Sequence, residues 1–490
     1  MNAGFSIDPA VLLAGLLLLV GVIGGGVASR FRIPSLLLFL VLGMAVADEG
    51  LALVRFDDAL LAQNVATVAL AIILFEGGLG TEPSAFRKDG VAASFLATVG
   101  VAITAGVVAG AAWLLTDVEP VTALLLGSVV ASTDAAAVFA ALRSEPLPER
   151  TQRLLQLESG MNDPVAILLT IGMVEVWAGD PGPLDWATFL ALQLVVGIAV
   201  GISMGIAGRW IITHVTGAAA SSLGVVTLAI AALSYGTAAV IGGSGFLAVY
   251  LTGVVVAGNQ RSTRSVLYFH EGLAGTAQAV LFLLLGMLVF PSELIDDLGA
   301  GVIVAAALLF VARPLAVAAV LAWSRTPVQR IAVISWGGLR GAVPVVLATI
   351  PFTAGHPDGA LIFDVAFVVV VLSIAIQAPT VGALARRLGE VAEHPPAVRP
   401  EIIALDTQDA DLIELTIPSG STIDGIELQD APLPDGARIS MIRRDEATLI
   451  PHGDTTLRIG DALLLVASRS CQLANLESWS EGPARSPEPN

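Results

Sequence analysis

Runs of roughly twenty apolar residues, bounded by charges or by Gly and Pro clusters, recur over the first 390 positions at the length that crosses a bilayer as helix. Thirteen such runs are read, near residues 9–28, 34–51, 60–79, 90–115, 120–142, 151–177, 186–208, 222–241, 244–258, 270–290, 299–322, 328–351 and 360–386. After Arg387 the pattern changes. Residues 391–400 carry Pro395, Pro396 and Pro400 and read as a linker. From 401 to 478 polar and apolar residues alternate between turn signals, the mark of half-buried strands. Strands are predicted at Leu412–Ile417, Arg438–Arg443, Thr448–Ile450 and Ala462–Ala467, and the Pro-, Ser- and Glu-rich tail 479–490 reads as disordered. The expected fold is an all-α polytopic membrane protein of thirteen helices over residues 1–390, followed by a small C-terminal α/β domain.

The charges between the runs test that count. Odd-numbered connections hold fourteen basic residues: Arg30 and Arg32; Arg87 and Lys88; Arg143, Arg150 and Arg153; Arg209; Arg261 and Arg264; Arg325 and Arg330; Arg386 and Arg387. Even-numbered connections and the N-terminal tail hold one, Arg55, beside acids such as Asp48, Glu119, Asp180, Asp297 and Asp358. By the positive-inside rule the N-terminus lies outside and the C-terminal domain in the cytoplasm. That arrangement requires an odd number of spans.

Composition supports lipid rather than water as the solvent. Of 490 residues, 55% are hydrophobic and 13% charged, with mean hydropathy +0.83, more apolar surface than soluble cores hide. Fifty glycines fit closely packed spans. The single lysine, Lys88, lies between Arg87 and Asp89, so no GxxxxGK[ST] phosphate loop exists and ATP-driven pumping of that type is excluded. One cysteine, Cys471, permits neither an intrachain disulfide nor a cysteine zinc cluster. A net charge of -18 argues against nucleic-acid binding. The first eight residues hold Asp8 and no base, so the opening run is expected to be a retained span rather than a signal peptide.

Few ionisable groups lie within the runs. The bases are Arg313 and Arg340; the central acids are Asp134, Glu158 and Asp163, with Glu76 nearer a cytoplasmic end and Glu271 at one. Three acids against two bases leave one negative charge, and a lone buried carboxylate holds a proton or attracts a cation. That is the chemistry of proton-for-cation exchange. In run six, Glu158-Ser159-Gly160-Met161-Asn162-Asp163-Pro164 places Ser159 above Asp163 and Glu158 above Asn162 on adjoining strips of a helix. The bland alternative is an N-cap at Asp163 before Pro164. Runs five and twelve contain Ser132-Thr133-Asp134 and Trp336-Gly337-Gly338-Leu339-Arg340-Gly341-Ala342-Val343-Pro344, where glycine and proline weaken the helix beside a charge. Broken helices of this kind line cavities in transporters. Runs five and twelve are seven apart and oppositely oriented, as an inverted repeat requires; an incidental kink is the plainer reading. Arg313-Pro314 in run eleven reads either as a snorkelling or packing residue or as the partner of a core acid. Gly242-Gly243-Ser244-Gly245 resembles a serine protease motif but has no histidine within reach, the nearest in sequence being His270, so helix packing is preferred.

With Leu74-Phe75-Glu76-Gly77-Gly78-Leu79 added, these motifs resemble those of the monovalent cation:proton antiporters of the NhaP and NHE type. Leu412 to Ala467, with Ile442-Arg443-Arg444 and Gly460-Asp461, resembles the TrkA-C (RCK-C) ligand-sensing half of potassium-conductance regulators. Together the parts resemble bacterial potassium/proton antiporters, as do Ala277-Gln278 and Pro291-Ser292-Glu293-Leu294. The resemblance implies that Asp163 alternately holds the proton or the cation, with Ser159 and the Thr133 carbonyl as further ligands. It implies that Glu158 pairs with Arg340, Asn162 braces the site and Asp134 caps the broken helices. Arg313 and Glu76 complete the charge-compensating set.

The expected activity is electroneutral exchange of K+ or Na+ for H+ across the bacterial inner membrane, serving pH homeostasis, with elevator-type alternating access and no cofactor. The partners implied are a second copy in a homodimer, membrane lipids, and a small nucleotide-like regulatory ligand at the TrkA-C domain, whose acidity disfavours an anion unless a cluster such as Arg443 and Arg444 receives it; a plain dimerisation module is the equal alternative for that domain. A neutral Asn162 beside Asp163 favours one-for-one coupling. A gated cation channel is the rival; no TVGYG filter is present, since Thr98-Val99-Gly100 continues as Val101-Ala102.

Overall fold

A computed structural model describes residues 8–391, 401–404, 410–468 and 479, except positions 31–34, 55, 57, 82, 135–136, 139–140, 143–146, 180–181, 215–219, 258–262, 419–420, 422, 432 and 445–446. Most of the expected linker and tail lies outside the described residues. The chain divides into two compact units, Met1–Val391 and Ala392–Asn490.

The described residues of the first unit form helices joined by short non-helical connections. Its helices are α1 (Asp8–Arg30), α2 (Ser35–Val46), α3 (Ala59–Leu79), α4 (Pro83–Phe95), α5 (Val101–Leu115), α6 (Pro120–Val129), α7 (Glu149–Gly179) and α8 (Pro183–His214). There follow α9 (Ala220–Val240), α10 (Gly245–Val256), α11 (Thr263–Met287), α12 (Pro291–Ala307), α13 (Arg313–Leu321), α14 (Val328–Trp336), α15 (Val343–Thr353) and α16 (Gly359–Leu388). Among the described residues, eight helical stretches are long and apolar enough to cross a bilayer, and five shorter apolar helices accompany them. Length and composition therefore support eight crossings by themselves, and the expected thirteen go beyond that.

Two π turns interrupt the long helices. Leu96–Gly100 joins α4 to α5, and Leu308–Ala312 joins α12 to α13. The second sits just before Pro314, whose ring and missing N–H disturb the preceding turn. The two turns fall in runs four and eleven, again seven apart.

Glycine sets the closest crossings. A Cβ on Gly78 of α3 would stand 2.3 Å from the Tyr250 carbonyl oxygen, and one on Gly253 of α10 would stand 2.5 Å from that of Phe75. Gly43 of α2 and Gly286 of α11 form a second such pair, 2.1 and 2.2 Å from the carbonyls of Leu283 and Leu40. At these points backbone packs on backbone, the small-residue contact that replaces the hydrophobic drive inside lipid. Gly243 and Gly245 likewise pack against Val196 and Tyr235, while Ser244 caps α10 by accepting from the Leu247 N–H. The GxSG segment is thus a helix start.

Polar ties hold the helix ends. Asp89 of α4, buried, accepts from Arg150 (3.2 Å) and Arg153 (3.1 Å) of α7. Arg330 of α14 reaches Glu390 after α16 at 3.2 Å. Glu49, between α2 and α3, accepts from both the backbone N–H (2.8 Å) and the hydroxyl of Ser292 at the head of α12. Those Ser292 bonds hold the Glu49 carboxyl below its ordinary range.

The second unit is one antiparallel sheet in the order β1-β2-β5-β3-β4, with β1 Glu401–Ala404, β2 Ala410–Thr416, β3 Ala437–Arg444, β4 Ala447–Leu449 and β5 Ala462–Ser468. The four expected strands are present within two residues at each end. β1 is additional, its four residues too short to show alternation. Beyond a 3-10 turn at Leu428–Asp430 and Trp479, no helical residue occurs among those described, so the expected α/β character is seen only as β. Successive strand residues face opposite ways: Arg443 is exposed, whereas Arg444 turns inward to the buried Asp461 (2.7 and 2.8 Å) and the Thr456 carbonyl (2.7 Å). The expected Arg443–Arg444 anion receptor is therefore corrected; one of its two cations serves the core of the domain.

Gly253→Leu is expected to force α3 and α10 apart at an overpacking cost of about 1–3 kcal/mol. A fall in the melting midpoint of detergent-solubilised protein, absent for Gly106→Leu where a Cβ meets nothing within 4 Å, checks this.

Candidate functional site: two broken helices beside a buried acid

The helix of run five ends at Val129 and the chain runs without helix through Ser132-Thr133-Asp134 before turning helical again at Ala137. Run twelve behaves alike: α14 ends at Trp336, Gly337 to Ala342 are non-helical, and α15 resumes with Pro344 in its first turn. The two gaps cross. The Asp134 N–H donates to the Leu339 carbonyl at 2.8 Å, so each break answers a backbone group that the other leaves open. Asp134 Oδ1 accepts from the Ala137 N–H at 3.2 Å and caps the resumed turn.

The glycines of run twelve have separate tasks. A Cβ on Gly341 would come within 2.1 Å of Asp134 Oδ2, and one on Gly338 within 2.4 Å of Arg313 Nε. The bare backbone of the break is what lets a carboxylate and a guanidinium approach it from two sides.

Helix α7 latches onto the first break through one residue. Ser159 Oγ donates to the Thr133 carbonyl at 2.8 Å, and Asn162 Nδ2 donates to Thr133 Oγ1 at 2.5 Å. Asp163 lies one turn beyond Ser159, 8% exposed, with Oδ1 lacking a hydrogen bond among the described residues. Asn162 Oδ1 and Ser132 Oγ are buried and unbonded as well. Asp163, Ser159, Thr133, Asn162 and Asp134 are thus brought together. Pro164 lies inside α7, so Asp163 is not an N-cap.

The expected pair of Glu158 with Arg340 is corrected. Glu158, fully buried, receives Arg313, whose two Nη groups meet its two oxygens, Nη2 at 2.9 Å. A planar guanidinium matches a carboxylate in this bidentate way, one N–H on each oxygen. Arg340 is then left 1% exposed with Nε, Nη1 and Nη2 unbonded among the described residues, within the electrostatic reach of Asp163 and Glu158 and of the like-charged Arg313. Its backbone is held instead: the Arg340 N–H donates to Ser373 Oγ (3.0 Å), Ser373 donates to Gln377 Oε1 (2.6 Å), and Gln377 Nε2 donates to the Trp336 carbonyl (2.9 Å). Ser373 and Gln377 escaped the sequence reading, although two polar residues four apart in an apolar run were a legible sign. Glu76, on α3, has no side-chain hydrogen bond or ion pair among the described residues and lies within the electrostatic reach of Glu271 and Asp134.

Crossing broken helices beside a buried, incompletely bonded acid are the architecture of secondary transporters. The family model described as "Sodium/hydrogen exchanger, transmembrane" matches residues 15–387, and that of the TrkA-C domain matches residues 412–472. The K(+)/H(+) antiporter NhaP of Alkalimonas amylolytica is 36% identical over 97% of this chain and 83% of its own. The K(+)/H(+) antiporter NhaP2 of Shewanella oneidensis is 34% identical over 98% and 84%. The fold is also similar to that of the sodium proton antiporter MjNhaP1 of Methanocaldococcus jannaschii, at TM-score 0.69 and 22% identity over 78% of this chain and 99% of that one. The chain belongs to the sodium/hydrogen exchanger family, whose members are cation/proton antiporters and not enzymes.

Arg313→Gln strands a buried Glu158 and is expected to cost about 3–5 kcal/mol. Glu158→Gln with Arg313→Gln is expected to recover much of that loss, measured as a double-mutant cycle on the melting midpoint in detergent.

Proposed function

We propose that the protein exchanges K+ for H+, one for one, across the bacterial inner membrane, with Asp163 as the group that carries either the proton or the cation. The observation that carries this reading is the state of the two acids of α7. Both oxygens of Glu158 are engaged by Arg313, whereas Asp163, one helical turn from the Ser159 that binds the Thr133 carbonyl, keeps a buried oxygen without a hydrogen bond among the described residues. An acid already bound to a guanidinium has nothing to exchange. One with a buried, unbonded oxygen can trade a proton for a monovalent cation, and the two occupants exclude each other. Asn162, neutral, and Thr133 brace that acid; Asp134, Arg340, Arg313 and Glu76 compensate charge around it.

K+ is preferred over Na+ because relatives at 34–36% identity over nearly the whole chain are named for K+. A Na+ reading draws on the Low-affinity Na(+)/H(+) antiporter NhaS1 of Synechocystis, at 24% identity. Thirteen crossings with the N-terminus outside, a homodimer, and alternating access by an elevator movement of the helices carrying the crossing complete the scheme. The TrkA-C domain acts as a cytoplasmic regulator for a small, nucleotide-like ligand, with Arg443 as the exposed cation of its pair.

Asp163→Asn is expected to abolish cation-induced pH change in everted vesicles; robust exchange in that variant overturns the assignment, and parallel titrations with K+ and Na+ rank the ions. Ending the chain after Val391, which keeps the Glu390–Arg330 tie, is expected to preserve basal exchange and alter its pH dependence. An unaltered profile would leave the domain a scaffold.

A further inference from the structure

The end of the bundle away from the basic connections holds a second buried acid that the exchange cycle does not use. Asp364, in the second turn of α16, is 5% exposed, and no hydrogen bond or ion pair reaches its carboxylate among the described residues. It faces a cavity of about 70 Å3 between the heads of α3, α12 and α16 and the end of α15, walled by Leu288, Phe290, Phe352 and Phe363. That volume is several times the ~10–15 Å3 that one water-sized particle needs.

Glu293 lines the same cavity. Its first turn of α12 is fixed from outside by Glu49, which binds both the N–H and the hydroxyl of Ser292. The charges whose fields reach Asp364 most strongly, Asp297 and Glu293, are both negative. A carboxylate among phenylalanine rings, with further acids and no base lining the cavity among the described residues, is costly unless something positive joins it. A proton neutralises one oxygen donor; a cation in the cavity satisfies Asp364 and Glu293 together and brings its own water.

We propose that this cavity is a second monovalent-cation site, at which Asp364 and Glu293 take up a partly hydrated alkali ion on the face opposite the basic connections. The inference rests on the exchange reading above and adds a point of ion capture before the crossing of the broken helices.

The test uses the full chain in phospholipid vesicles with K+ supplied to one face at a time. Asp364→Asn is expected to raise the apparent KM for K+ about tenfold at the outer face alone, the size of one carboxylate–cation contact at intermediate screening. KM at the opposite face and kcat are expected to hold. Glu293→Gln is expected to shift KM in the same direction at the same face. A binding measurement stands beside the kinetics: K+ is expected to raise the melting midpoint of Asp163→Asn protein, and adding Asp364→Asn is expected to remove that rise. An outer-face KM in Asp364→Asn unchanged from that of the wild type, or no K+ effect on the melting of Asp163→Asn, overturns the proposal and makes Asp364 part of the cavity wall. Exchange surviving in Asp163→Asn sinks the reading of Asp163 instead, and the comparison of faces separates the two failures.

Discussion

Everything in the transmembrane unit answers to the cost of keeping charge where water is scarce. The bidentate contact of Arg313 with Glu158 is the largest single settlement of that cost: two ions, both nearly or fully buried, meet edge to edge. It requires a helix that delivers Arg313 from one side, a helix that delivers Glu158 from another, and a backbone without a side chain at Gly338 to let the guanidinium pass. With that pair closed, the neighbouring Asp163 is the acid that keeps a buried oxygen without a hydrogen bond among the described residues.

The breaks in the two crossing helices obey the same accounting for backbone groups. An interrupted helix in lipid leaves N–H and C=O groups that water does not reach. Here the Asp134 N–H finds Leu339, the resumed turn finds Asp134, and the far side of the second break is tied through Ser373 and Gln377 to α16. The crossing is therefore a hydrogen-bonded object rather than two loops that happen to meet.

Much of this was legible in the sequence, for reasons that differ by residue. Gly337, Gly338 and Gly341 beside Arg340, and Ser132-Thr133-Asp134 seven runs earlier, announced breaks because Gly and isolated polar groups are poor material for a lipid-facing helix. The four polar residues of α7 announced a polar face because helical spacing is fixed. Partner choice was not legible. Glu158 had two arginines within its reach, and which one fills it depends on the depth at which α13 presents its first residue, a matter of packing 155 positions away. The inward turn of Arg444 was readable from strand alternation, yet adjacency in sequence suggested a cluster. Ser373 and Gln377 were overlooked because hydroxyl and amide carry no charge and so stand out less in an apolar run.

The separation of Glu158 from Arg313 along the chain has a consequence for how the protein is made. At ~5–20 residues per second, roughly 8–30 s pass between synthesis of the acid and synthesis of the base that will neutralise it. During that interval α7 must either enter the bilayer with Glu158 not yet matched to Arg313 or stay beside the translocation machinery until α13 arrives. The order of assembly is thereby written into the spacing: the first half of the bundle is born with a debt of charge, and only the ribosome's progress through the second half releases the nascent chain to close.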